Sequence, residues 1–436
     1  MLERLFKLRE HNVTVGIEIA AGATTFLTMA YILVVNPLIL SNTGMPREAL
    51  YTATAIAIII ATLLMAFWAN MPFALAPGMG INAFFTYVVV MAKGYTWQEA
   101  LTAVFVAGIL FLILSVTGVR EALVNDFPEA LKYAVGVSLG LMIATIGMKN
   151  CGLIVASGTE NRFVLGDIRS GAPLLALIGL AITAIILALK VKGGLLLGIA
   201  ITTVIGYFMG QTNLSPLTEG GILKLPPSVS PIFLSFSVDF SRIVTLDFAV
   251  VIFTFLFVDI FDSLGTFLGV LNRVGIESGH YKERIPKALT CDAVGTIAGA
   301  IVGTSTVTTY VESSAGVTAG GRTGLTALTV GLLFLISMFF SPLFLVVPAA
   351  ATAPAMIVVG LFLMEVATRI NFTDIAEGLP AILAILVTAL TVSISDGLMF
   401  GWVSLVVIKL CSGRLKELNV VTLVFAAIFV LKMAFL

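Results

Sequence analysis

Charge is scarce in this sequence. Asp, Glu, Lys and Arg make up only 11% of its 436 residues, less than half the ~25% of a soluble domain. That scarcity excludes a chain bathed in water over most of its surface. The three cysteines, Cys151, Cys291 and Cys411, are scattered, which excludes a disulfide framework or a Cys-based metal site; they read as small apolar packing residues. The two histidines, His11 and His280, sit in polar, charged stretches and read as solvated loop residues. No Cys/His cluster and no nucleophile–base pair falls at membrane depth, so nothing points to an enzyme, a metal or a cofactor. Net charge is zero, and no nucleic-acid partner is implied. The opening stretch MLERLFKLREHNVTV lacks the apolar core and cleavage pattern of a secretory signal. It is expected to stay attached and lie on the membrane surface.

Apolar residues are what the chain has most of, at 59%. Runs of ~20 residues, each long enough to cross a bilayer as a helix, follow one another from Gly16. Most are apolar all round, whereas a soluble helical protein needs polar helix faces. The expected spans are 16–36, 50–69, 71–92, 97–117, 131–149, 173–190 and 194–210. They continue at 246–271, 286–303, 304–321, 323–340, 342–366, 376–395 and 397–412. The last apolar run, Leu418 to Leu436, is either a further helix or one at the interface. With fourteen spans and a cytoplasmic N-terminus, the basic residues of the polar breaks fall inside. These are Arg4, Lys7, Arg9, Arg120, Lys190, Lys192, Arg273, Lys282, Arg284, Lys287, Arg322, Arg414 and Lys416, as the positive-inside rule expects. Arg162 and Arg169 fall outside, against the trend.

The two halves resemble each other. LTAVFVAGILFLILS (Leu101–Ser115) matches LTALTVGLLFLIS (Leu325–Ser337), and GGLLLGI (Gly193–Ile199) matches DGLMFGW (Asp396–Trp402). Pro128, before the fifth span, pairs with Pro348, placed within the twelfth. The order is the same in both halves, so a duplication of seven spans is expected. An odd number inserts the second half upside down, and such inverted repeats place a substrate site where the repeats meet.

Two spans are broken at matching places. In MPFALAPGMGINAFFTYVVV, Pro77, Gly78 and Gly80 resist a helix interior. Met71 to Ala76 is therefore expected to be extended, with a short helix starting near Met79 to Asn82. In GTSTVTTYVESSAGVTAGG, the Thr/Val-rich part to Val311 favours extended chain, with a short helix from about Glu312 to Ser314. Non-helical backbone at membrane depth survives only where protein or a cavity shelters it. Each half-helix would aim free N–H groups at the centre.

FVDIFDSLGTF, in the eighth span, carries Asp259 and Asp262 three residues apart, on one helix face. A charge at the bilayer centre costs about 2.5–3.5 kcal/mol on insertion scales, accepted here twice in one turn and again at Glu312. No Lys or Arg lies between Leu246 and Leu271 to pair with them. Close carboxylates in a dry site take up protons readily, which suits proton-coupled transport. They repel anions and accept hydrogen bonds, so a neutral or cationic substrate rich in N–H groups is expected. Phe84, Phe85, Phe257, Phe261 and Tyr310 could stack on a flat ring or simply pack. Glu18, near the cytoplasmic end of the first span, is expected to reach water. Asp292 ranks as a paired core acid, and Asp374, Glu377 and Asp396 as solvated span ends. The glycine pairs Gly194/Gly198 and Gly397/Gly401 let helices pack closely.

Four stretches, FLTMAYILVVNP, APGMGINAFF, FVDIFDSLGTF and TSTVTTYVESSAGV, together resemble the AzgA-like purine permeases, a branch of the nucleobase–ascorbate (nucleobase:cation symporter-2) transporters. The resemblance covers nearly the whole chain. It implies an all-α membrane protein of fourteen transmembrane segments as two inverted seven-span repeats, with short extended stretches in spans 3 and 10. It also implies a core domain of residues 1–118 and 246–341 that carries substrate against a gate domain of 119–245 and 342–436. The implied activity is purine nucleobase:proton symport of adenine, guanine and hypoxanthine across the plasma membrane. By motif, the family's binding residues fall on Asn82, Asp259, Asp262 and Glu312. Backbone N–H groups of the half-helices, at Gly80 and Ser313, complete the expected site, and Asp259 or Asp262 carries the coupling proton. Related uracil and xanthine transporters use a Glu in the eighth span, where this chain has Asp262. Their tenth-span signature is here one residue longer, Glu312 to Gly316, which agrees with the purine branch. The expected partners are a small purine base, a proton and the lipid bilayer, with a homodimer left open. The alternatives carried forward are a same-fold anion exchanger, a uracil or xanthine transporter and a passive channel.

Overall fold

The computed structural model describes residues 2–117, 128–156, 163–169, 171–237, 239–273, 284–391, 394–419, 422–423, 425–427 and 429–430. Arg120, Arg162, His280, Lys282 and part of the last apolar run lie outside these residues, as does the side chain of Phe261.

Helices dominate. The first apolar run forms α1 (Val15–Met29) and α2 (Ile32–Ser41), separated by a turn at Ala30 and Tyr31. α3 (Arg47–Leu64) ends in a π-helical turn to Ala69, and Asn70 leaves it in the left-handed region at φ 49°. Strand β1 (Leu75–Pro77) and α4 (Met79–Ala83), prolonged as a π-helix to Ala92, form the third run. α5 (Trp97–Thr117) opens on a capping box: Thr96 Oγ1 accepts from the Glu99 N–H, and Glu99 accepts from the Thr96 N–H at 2.7 Å. Then come α6 (Glu129–Asn150), the hairpin β2 (Ile154–Ala156) and β3 (Phe163–Leu165), α7 (Gly171–Ala188) and α8 (Gly194–Phe208).

The second half contains α9 (Leu246–Arg273), α10 (Ile285–Val302), β4 (Val307–Thr309) and the short α11 (Ser313–Thr318). It continues with α12 (Gly324–Ser337), α13 (Ala349–Met364), α14 (Ile375–Thr391) and α15 (Ile394–Cys411). Among the described residues, eight helical segments are long and apolar enough to cross a membrane. Of the last apolar run, Thr422 receives the Trp402 indole N–H on its carbonyl at 2.8 Å. Phe425 and Phe429 pack on the same ring, so the described part of this run is docked on α15.

Packing follows two sets. α12 lies against α1 and α3, and α10 against α3 and α5. Separately, α6 lies against α13 and α14, α7 against α8 and α13, and α14 against α15. Glycine makes the α6–α13 crossing: a Cβ on Gly140 would stand 2.5 Å from the Gly360 carbonyl oxygen, and one on Gly360 equally close to that of Gly140. Pro128 and Pro348 are the residues that precede α6 and α13. Pro348 therefore stands before a helix and not within one, where its missing N–H costs no intrahelical hydrogen bond. One glycine of each of the other pairs lies against a threonine. A Cβ on Gly198 would strike Thr183 Oγ1, and one on Gly397 would strike Thr388 Oγ1.

Glu18 does not reach water. It is fully buried and accepts hydrogen bonds from the backbone N–H groups of Arg322 (2.8 Å), Thr323 (3.3 Å) and Thr326 (3.1 Å). The Thr326 hydroxyl adds a fourth at 2.6 Å. A carboxylate at the start of α12 satisfies donors that no helical carbonyl can reach and meets the positive end of the helix dipole. Glu18→Gln replaces two acceptor oxygens by one oxygen and an amide that opposes those N–H groups. We expect a loss of about 1–3 kcal/mol, read as a lower melting temperature in detergent with purine affinity unchanged. At another end, Arg414 approaches Asp374 at 2.5 Å and holds its carboxyl below the usual range.

Candidate functional site

The two interrupted segments meet. β1 and β4 pair antiparallel with Leu75 opposite Thr309, Ala76 opposite Thr308 and Pro77 opposite Val307. The ribbon is prolonged by the Gly78 N–H to the Thr306 carbonyl (3.1 Å) and the Tyr310 N–H to the Ala74 carbonyl (3.0 Å). The sequence dictates this locally. Pro77 and Gly78 disfavour a helix, and Val307, Thr308 and Thr309 favour extended chain. Pairing satisfies the backbone groups that lipid could not.

Each strand is fastened the same way from a neighbouring helix. The Thr62 hydroxyl of α3 accepts from the Leu75 N–H at 3.1 Å. The Thr296 hydroxyl of α10 accepts from the Val307 N–H at 3.2 Å and donates to Asp259 Oδ2 at 2.8 Å. Both threonines are fully buried. Each half-helix also holds the chain entering the opposite strand. The Ala74 N–H donates to Ser313 Oγ at 3.0 Å, and the Ser305 hydroxyl donates to Asn82 Oδ1. Asn82 in turn donates to Asn36 Oδ1, whose amide reaches Thr54 (2.6 Å) and Thr304 (3.0 Å). This polar network is buried behind the ribbon.

In front of the ribbon lies a hollow of about 60 Å³. One wall is polar: Asp262 and Thr266 of α9, Thr308 and Thr309 of β4, and Tyr310 to Glu312. Gly78, Met79 and Gly80 also line it, and α6 and α13 contribute the aliphatic Leu139, Val359 and Leu363. Gly80 permits this approach, since a Cβ there would stand 2.8 Å from Leu139 Cδ2. Asp262 and Glu312 are half-buried, and among the described residues no Lys or Arg lines the hollow. Glu312 Oε1 accepts a hydrogen bond from the fully buried Tyr31 hydroxyl at 2.6 Å.

Of the residues singled out in the sequence, Gly80, Asp262 and Glu312 border this hollow. Asn82, Asp259 and Ser313 do not. They are buried behind it and fasten the ribbon. Asp292 is buried and accepts from the Ser263 hydroxyl, which also lies 2.8 Å from the Thr308 hydroxyl. Tyr310 is at the hollow and bonds the Pro77 carbonyl at 2.8 Å. Phe84 and Phe85 pack on Phe255, and Phe257 packs between Phe253 and Trp402. Tyr31, Asn36, Leu139 and the two strand-fastening threonines were not singled out. A tyrosine and an asparagine inside the apolar run of the first span were the available signal for two of them.

Helices gathered around two interrupted, strand-paired segments define the fold. It is shared with the transmembrane domain of a cyanobacterium bicarbonate transporter, BicA, at a TM-score of 0.63 and 15% identity over 88% of this chain and 96% of that one. Two curated relatives match nearly end to end. The guanine/hypoxanthine permease PbuO of Bacillus subtilis is 42% identical over 98% of this chain and 99% of its own length. The adenine permease AdeQ of Escherichia coli is 40% identical over 99% and 96%. Residues 16–400 match the Permease family, Xan_ur_permease, and the chain belongs to that family, in its AzgA-like purine permease branch.

Proposed function

We propose that the protein is a purine nucleobase:proton symporter that works by alternating access, with adenine, hypoxanthine and guanine as its substrate class. One observation carries this reading: Asp262 and Glu312 border a single hollow that the aliphatic Leu139, Val359 and Leu363 also line. Two carboxylates accept hydrogen bonds from ring and exocyclic N–H groups, and an apolar wall suits the face of a flat ring. PbuO and AdeQ, named for these bases, are similar over nearly the whole length. The hollow is well below the ~300–1,000 Å³ of drug-sized ligand pockets, so a purine needs the α6–α13 wall to move away from the ribbon.

In this reading Asp262 and Glu312 receive the base, and Gly80 leaves room for it. Asp259 carries the coupling proton: its Oδ2 bonds Thr296, which holds β4, so a change in its charge acts on the ribbon. Asn82 and Ser313 keep the half-helices in register from behind. The helices packed about the ribbon form the core that carries substrate, in residues 1–118 and 246–341. Those packed about α6 and α13 form the gate, in 119–245 and 342–436. Fourteen spans as two inverted sevens accord with the equivalent fastenings by Thr62 and Thr296 and with Pro128 and Pro348. A cytoplasmic N-terminus in the plasma membrane completes the topology.

Labelled hypoxanthine or adenine uptake into proteoliposomes tests the proposal. Accumulation is expected under an inward proton gradient and is abolished when the gradient collapses. Accumulation driven by sodium alone contradicts proton coupling. An anion exchanger of the same fold would instead show competition by bicarbonate or sulfate and none by purines; a hollow lined by two acids disfavours it.

A further inference from the structure

The first membrane run is interrupted where it passes the hollow. α1 ends at Met29, α2 begins at Ile32, and Tyr31 in the turn is fully buried. The break swings the phenol toward the tenth run, where its hydroxyl donates to Glu312 Oε1 at 2.6 Å. Thr28, one turn earlier, brings its hydroxyl within 3.5 Å of the Glu312 carbonyl oxygen. The Thr28 proton has a nearer acceptor in the Thr25 carbonyl at 2.8 Å, so the first run's hold on Glu312 is the Tyr31 phenol. Tyr310, the other phenol nearby, gives its proton to the Pro77 carbonyl. Among the described residues, Tyr31 is the one side chain that donates to the Glu312 carboxylate.

We propose that Tyr31 is a positioning residue for transport: it occupies Oε1 of Glu312, turns Oε2 toward the hollow and keeps the carboxylate in its hydrogen-bond-accepting form. The inference rests on the reading of Glu312 as a receiver of purine N–H groups. A carboxylate has two oxygens and about four lone-pair directions. One oxygen fixed by a phenol leaves the other oriented without further loss of rotamer freedom when the base arrives. A hydroxyl donating to a carboxylate also favours its ionised state. That support matters here because, among the described residues, the groups facing Glu312 offer no positive charge. Asp262 of α9, Tyr310 of the adjoining strand and Tyr31 of the first run are the titratable ones, and α6 and α13 contribute Leu139, Val359 and Leu363.

The test is equilibrium binding of hypoxanthine to purified full-length protein in nanodiscs from pH 5 to pH 9. Tyr31→Phe removes the donor and keeps the ring. We expect its affinity at pH 6 to fall about tenfold, 1.4 kcal/mol, and the midpoint of its binding–pH profile to move up by about one unit, with the deficit shrinking at high pH. Should Tyr31→Phe fail to give a monodisperse protein, Tyr31→Gln, which lacks the phenol's reach, replaces it with the same expected shift. An unmoved midpoint overturns the proposal, whether affinity is unchanged or uniformly lowered, because a packing defect weakens binding equally at every pH. Failure of the unsubstituted protein to bind purine at any pH is a different result: it overturns the functional reading beneath the proposal.

Discussion

Glu312→Gln and Asp262→Asn are each expected to lose purine binding by about a hundredfold while leaving the fold intact. Both side chains border the hollow, and both act as anionic acceptors. A hydrogen bond to a charged group contributes about 1.5–3 kcal/mol, which is about ten- to a hundredfold in affinity. The amides add a second penalty. Each presents an NH₂ to a ligand edge that is itself a donor, and a donor facing a donor is worse than a missing contact. The changes are isosteric, and the Glu312 bond from Tyr31 survives on the amide oxygen, so the melting temperature should stay close to that of the parent. Calorimetric titration with hypoxanthine, alongside thermal unfolding, separates the two effects. Binding within threefold of the parent in either variant contradicts the assignment of that carboxylate.

Asp259→Asn is expected to behave differently. Asp259 lies behind the ribbon, bonded to Thr296 and through it to β4, and it does not line the hollow. Its amide keeps an oxygen for the Thr296 hydroxyl, so binding should stay within a few fold. An amide cannot take up and release the coupling proton, however. Proton-driven accumulation should collapse to equilibration, while exchange of internal for external purine in counterflow continues. The contrast is large: a gradient-driven concentration ratio falls to one. Wild-type accumulation by Asp259→Asn overturns this role and moves the proton to Asp262 or Glu312.

Much of the centre can be read from residue types. Pro77 and Gly78 in one run and the Thr/Val stretch before Glu312 in another point to extended chain at membrane depth, and the structure has β1 and β4 there. The pair Asp259 and Asp262 marks the eighth run. Which acid faces the hollow is not legible. At ~3.6 residues per turn, positions three apart are about 60° apart on the helix, enough to send one toward α10 and the other toward α6 and α13. Only the packing of α9 decides. Glu18 illustrates the same limit: its partners begin at Arg322, and no local pattern announces that it caps a helix three hundred residues away. Asn82 reads as a polar residue in a broken helix, and that much is right. Its amide is consumed by Asn36 and Ser305, a network that exists only once the two halves interlock. Leu139, Val359 and Leu363 are invisible for a plainer reason, since an aliphatic side chain facing a ligand looks like one facing lipid.

The most direct test is a structure of the protein with hypoxanthine bound. The base should lie between the β1–β4 ribbon and Leu139, with N–H groups about 2.7–3.2 Å from the carboxylates of Asp262 and Glu312. A base lodged elsewhere, or one flanked by these two acids turned away from it, would contradict the account.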